Sequence, residues 1–168
     1  MNKIIRTILA SSAVFTTFCL SISPSQSLIE GVKQSKNFCE TAVKNVKARI
    51  QNNNYLTVEF QGQQIPSYWQ EGAPAGRRSQ LIILLGNPRE GTGNLVENIM
   101  ASTQMLTAMS NQLIDGCNNI AVVTYAKNGS GYIRTFGLIQ GRVQEFEYVT
   151  PEYLNHAPQL RWGLDIVI

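Results

Sequence analysis

The chain holds a single histidine, His156, and only three cysteines among its 168 residues. One imidazole excludes metal sites built on paired histidines, and Glu152 and Asp165 are too scattered to supply ligand spacing around it. A serine–histidine relay would depend on His156, yet no Gly-x-Ser-x-Gly elbow is present. Charge is also sparse, at 15% of residues, with 14 basic and 11 acidic side chains. Two of the basic ones, Lys3 and Arg6, lie in the first 27 residues, and without them 12 face 11. A net charge near +1 leaves no strong electrostatic case for nucleic acid or an anionic membrane. The uncharged stretch from Thr7 to Ile22 is shorter than the roughly 20 apolar residues that span a bilayer, and Ser and Thr dilute it. There is no internal repeat, low-complexity tract or sign of a second domain.

That N-terminal stretch has a different layout. Lys3 and Arg6 form a positive n-region, Thr7 to Ile22 an apolar h-region, and Ser25-Gln26-Ser27 the small residues that a signal peptidase reads. The expectation is a cleaved signal peptide over 1–27, then a single α+β domain over 28–168, exported to the periplasm or beyond. No membrane anchor is expected after cleavage. Cys19 departs with the leader; Phe18 before it is too bulky for a lipobox. Cys39 and Cys117 remain, and an oxidising compartment permits one bridge between them, two buried free thiols being the alternative.

The pattern predicts a helix over 37–51, with Asn37 and Glu40 spaced as a capping box and Cys39, Val43, Val46 and Ile50 on one stripe. Tyr55 to Phe60 alternates as a half-buried strand, and Gln61-Gly62 begins a turn. Leu81 to Leu85 reads as a buried strand. Asn94 to Asp115 reads as one long helix stopped by Gly116, with Leu95, Ile99, Leu106, Met109 and Leu113 inward. Strands follow over 120–126, 132–139, 142–149 and 160–168, the first three forming a meander because their connections are short. The expected order is α-β-β-α-β-β-β-β, two helices covering one face of a mostly antiparallel sheet. A bridge from Cys39 to Cys117 would tie the start of one helix to the end of the other, packing the two roughly antiparallel.

Candidate sites are few. Gly86 to Gly93 lies between a strand and a helix, the setting of a phosphate cradle, but Thr92 stands where a P-loop has lysine. Arg89, Arg77 and Arg78 leave generic anion binding open there, against a plain connection. Glu145, His156 and Arg134 supply the base, acid and phosphate clamp of a small secreted nuclease, the hydrolase alternative for this chain. Set against it, Glu and Arg alternating on strands describe a solvated sheet face. Glu145 and Glu147 are spaced for a glycosidase pair, with nothing to split their pKa values. Tyr68 and Trp69 with Arg77 and Arg78 form an aromatic-basic grouping of the kind found at interface hot spots. The competing reading folds Trp69 back on the sheet. Phe136, Phe146, Tyr148, Tyr153 and Trp162 are the other aromatics of interest.

The segment from Ser110 to Cys117, then Arg134 to Phe146, and the closing Trp162-Gly163 resemble small exported proteins found in cyanobacteria. The resemblance covers about the last 60 residues and implies lineage and export, with no activity or site residue attached. The leading expectation is therefore a non-enzymatic binding module of the cell envelope, taking an unidentified protein or a small anionic ligand and no cofactor or metal.

Overall fold

The computed structural model describes residues 24–51, 56–86, 94–150 and 160–166, with 24–35 as backbone. Helix α1 spans Pro24–Ile50. It begins well before the expected start at Asn37, whose carbonyl accepts the Thr41 hydroxyl at 2.8 Å as an interior turn would. The expected cleavage point before Leu28 thus falls within the first turns of α1, and residues 1–23 lie outside the described ones. Strand β1 (Thr57–Gln64) runs through Gln61-Gly62, where a turn was expected. A short helix α2 (Ser67–Gln70) and strand β2 (Ser79–Gly86) follow.

The expected long helix is two. Helix α3 (Leu95–Ala101) stops at Ser102, whose hydroxyl accepts from the Met105 amide at 3.3 Å and so caps α4 (Thr103–Gly116). Ser is a strong N-cap, and it wins locally over the continuing apolar period. Nor does the capping box at Asn94 form, since Glu97 pairs with Lys127 across the fold. The buried residues become Val96 and Met100 in α3, then Leu106, Met109, Leu113 and Ile114 in α4.

Strands β3 (Ile120–Lys127), β4 (Ile133–Ile139) and β5 (Arg142–Glu145) form the expected antiparallel meander. The β4–β5 hairpin turns at Gln140-Gly141, both with positive φ, as the twist-matched two-residue turn requires. The five-stranded sheet has order β1-β2-β3-β4-β5 and is antiparallel except between β2 and β3, which run parallel with α3 and α4 as their crossover. The strand expected over 142–149 breaks at Phe146. Beyond it β6 (Glu147–Val149) leaves the main sheet and pairs parallel with β7 (Leu164–Ile166).

Helices α1, α3 and α4 lie on one face, where Val46, Ile50, Leu106, Met109 and Leu113 pack with Ile83, Val123, Tyr125 and Phe136 in one core. Cys39 and Cys117 are bonded, with Cα atoms 4.5 Å apart. The close approach is visible one residue away: a Cβ added at Gly116 would sit 2.6 Å from that of Ala42. No helix among the described residues is long and apolar enough to cross a membrane.

The other face carries a second cluster of Ile65, Trp69, Val122 and Phe146, flanked by Trp162. Trp69 and Trp162 both meet Phe146 edge to face, at 5.1 and 5.2 Å between centroids. Beside this cluster a polar row crosses the sheet. Gln63 donates to Gln80 at 2.9 Å, Gln80 donates to Thr124 at 2.7 Å, and the Thr124 and Thr135 hydroxyls are 3.1 Å apart. The row ends at Asp165 of β7, which is only 8% exposed. Burial raises the Asp165 pKa, an effect partly offset by the Thr135 side chain and by the Ile166 amide, which donates to Oδ1 at 2.9 Å.

This arrangement has a pH consequence. A carboxyl whose pKa is higher folded than unfolded contributes its full stability below the ordinary value of 3.8 and loses it as pH rises above that value. Asp165→Asn keeps an acceptor for Ile166 and removes the buried charge. The variant is therefore expected to gain stability relative to wild type as pH rises from about 3 to about 6. Urea midpoints of the two proteins across that range test it; a difference that does not change with pH would refute it.

Candidate functional site

Of the residues singled out in the sequence, Arg134 and Glu145 are brought together, but toward each other. Glu145 ends β5 directly opposite Phe136, two residues along the neighbouring strand from Arg134 and so on the same face. Arg134 Nε donates to Glu145 Oε1 at 2.6 Å, and Nη2 reaches Oε2 in the second arm of a bidentate pair. Its Nη1 donates to the Met100 carbonyl at 2.6 Å and Nη2 also to Thr103 Oγ1 at 2.6 Å. These bonds occupy four of the five guanidinium N–H groups. Arg134 is 9% exposed, and it ties the broken α3–α4 junction to the sheet. Both Glu145 oxygens and most of the Arg134 donors are thus engaged within the fold. His156 lies outside the described residues, and Glu147 is exposed on β6, beyond the point where the chain changes sheet.

The aromatic-basic grouping divides in the same way. Trp69 is 2% exposed, and its Nε1 donates to the Leu164 carbonyl at 2.8 Å, fastening α2 to β7. It is a core residue, not a surface anchor, because the edge-to-face contacts and that hydrogen bond both need it inward. Arg77 Nη1 lies within 2.6, 2.9 and 2.7 Å of the carbonyls of Ile114, Cys117 and Ile120, joining acceptors left over at the end of α4 to the start of β3. Arg78 is exposed, with Nη1 on the Gln70 carbonyl at 3.1 Å, and Tyr68 is also exposed. The loop after Gly86, with Arg89, lies outside the described residues.

A groove of about 290 Å³ opens beside the ion pair, lined by Gly131, Tyr132, Ile133, Arg134, Glu145 and Tyr148. It exists because β5 departs early. The Phe146 amide still donates to the Thr135 carbonyl at 2.8 Å, but the Thr135 amide donates instead to the Tyr148 hydroxyl at 2.6 Å. Burial pushes the Tyr148 pKa up to about 12, so it stays a neutral phenol at any ordinary pH. Beyond Thr135, strand pairing on this side of β4 ends among the described residues. Backbone groups alternate sides along a strand, so the N–H and C=O of Ile133 point the same way as those of Thr135, into the groove. Tyr132 at the rim is 48% exposed.

The geometry thus combines a strand edge that is open among the described residues, two tyrosines, an isoleucine and a charge pair already neutralised internally. Tyr148 was among the aromatics of interest in the sequence. Tyr132 was not, and its signal was an aromatic directly after a Gly-rich turn at a strand entrance. No protein-family model matches the chain, and no characterised protein or solved structure matches it.

Proposed function

We propose that the protein is an exported, non-enzymatic binding module that takes an extended peptide segment along the open edge of β4. The observation carrying this reading is the coincidence of the Ile133 edge, which no strand pairs among the described residues, with an apolar, tyrosine-lined groove. Peptides added to a sheet edge draw affinity from main-chain hydrogen bonds and specificity from pockets for alternate side chains. Ile133 offers the first, and the space between Tyr132 and Tyr148 offers the second. A small anion is not favoured, because four of the five Arg134 N–H groups are engaged by Glu145, Met100 and Thr103. A hydrolase reading needs Glu145 free to accept a proton, whereas both of its oxygens face Arg134.

An acetylated hexapeptide of alternating valine and threonine, labelled for fluorescence anisotropy, is a suitable probe. Binding is expected in the range of about 10 μM to 1 mM, as suits a short edge contact. Tyr132→Ala is expected to weaken it about tenfold, the loss of one aromatic wall. A peptide with proline at alternate positions, lacking the donors, is expected not to bind. Equal affinity for the proline peptide, or none for either, would refute the proposal.

A further inference from the structure

The opposite edge of the main sheet is β1, and among the described residues no strand pairs with its outer side. The Ile65 amide donates to the Arg78 carbonyl at 3.0 Å, which continues the β1–β2 ladder. By alternation the odd-numbered residues of β1 face β2, and Val58, Phe60, Gly62 and Gln64 turn their N–H and C=O groups outward. An edge of eight residues without lysine or proline, carrying one charge at Glu59, lacks the usual features that block strand addition.

We propose that β1 is a self-association edge, on which two copies of this chain pair antiparallel about a two-fold axis through Gln61, extending the sheet across the dimer. That register places residues whose numbers add to 122 opposite one another, which keeps both helical layers on the same side. Every outward backbone group then meets one of the partner copy, Phe60 against Gly62 and Val58 against Gln64. The side chains agree. On the helix-bearing face the half-buried Phe60 of one copy lies over Gly62 of the other, and no atom lies within 4 Å of a Cβ added at that glycine. Aromatic side chains shelter cross-strand glycines in this way. On the other face Glu59 comes opposite Gln63, so the only charge on the strand meets a neutral amide and not its own copy. Gln61 meets Gln61, and the amide that now donates to Glu59 within the strand at 3.0 Å can reach across. A second copy fits this edge because the strand is complementary to itself at each of these positions.

The self-opposed position supplies the test. Gln61 is exposed, so charged replacements leave the core untouched. Sedimentation equilibrium of the disulfide-bonded protein at low salt, from about 10 μM to about 1 mM, brackets a weak edge contact. Wild type is expected to double its mass across that range. Gln61→Lys and Gln61→Glu, each alone, put like charges directly opposite and are expected to weaken dimerisation at least tenfold. An equimolar mixture of the two is expected to dimerise again. A wild type that stays monomeric overturns the proposal. So does a Gln61→Lys variant that dimerises as well as wild type, or a mixture that remains monomeric.

Discussion

Replacing Trp69 by alanine is expected to lower the unfolding free energy by about 4 kcal/mol, the upper range for emptying a large buried aromatic site. Three losses act together. The indole leaves a cavity against Phe146 and Trp162, its three edge-to-face contacts with Tyr68, Phe146 and Trp162 vanish, and the Leu164 carbonyl loses its donor. Trp69→Phe separates them, since a ring remains while the hydrogen bond does not. That variant is expected to cost about 1–2 kcal/mol, the range for an acceptor left without its partner. Because Trp69 fastens α2 to β7, the loss should be regional as well as global: amide exchange at Ile166 should quicken more than at Val123 in the central strand. Urea unfolding of both variants checks the magnitudes. An alanine variant within about 1 kcal/mol of wild type would mean that the second cluster is not a core.

Removing the Cys39–Cys117 bond has the other large effect. The bridge spans 78 residues, and closing a loop of that length restricts the unfolded chain by roughly 4–5 kcal/mol in the entropy model. Folding free energies of single domains are typically about 5–15 kcal/mol, so this is a large share of the total. The double variant Cys39→Ala/Cys117→Ala is expected to unfold at far lower urea concentration, with its m-value raised because the unfolded chain expands. A double variant as stable as wild type would show that the helix layer holds without the bridge.

How far the sequence leads can be judged residue by residue. The pairing of Cys39 with Cys117 was legible because, with Cys19 assigned to the expected leader, the two remaining cysteines have one intramolecular partner each. The helix stripe of Val46 and Ile50 and the meander from Ile120 were legible from periodicity and from Asn128-Gly129. The break at Ser102 was not, because the apolar period runs across it and a serine reads as tolerable within a helix until its hydroxyl is seen to cap the next turn. The departure at Phe146 was hidden for a related reason. The alternation from Arg142 to Val149 slips at Gln144-Glu145, but the slip does not say where the strand goes; the aromatic pocket formed by Trp69 and Trp162 draws Phe146 out of the ladder. The parallel pairing of β2 and β3 did have a signal, the strand–helix–strand order around Leu95 to Gly116.

The site follows the same division. Arg134 and Glu145 were visible as chemistry-bearing types, but a list of residue types cannot say that the two engage each other. Trp69 and Arg77 drew notice as an exposed grouping, whereas their donors are spent on backbone carbonyls of Leu164, Ile114, Cys117 and Ile120. The open edge at Ile133 depends on where β5 ends, and that is a tertiary fact.

The Ile133 amide offers the most direct measurement of the central claim. Hydrogen exchange followed by amide spectra, with and without a saturating valine–threonine hexapeptide, should show Ile133 slowing about tenfold or more when its N–H gains a strand partner. Gly137, already paired with Gln144 of β5, should keep its rate. An Ile133 rate that stays the same with the peptide bound would contradict strand addition at β4.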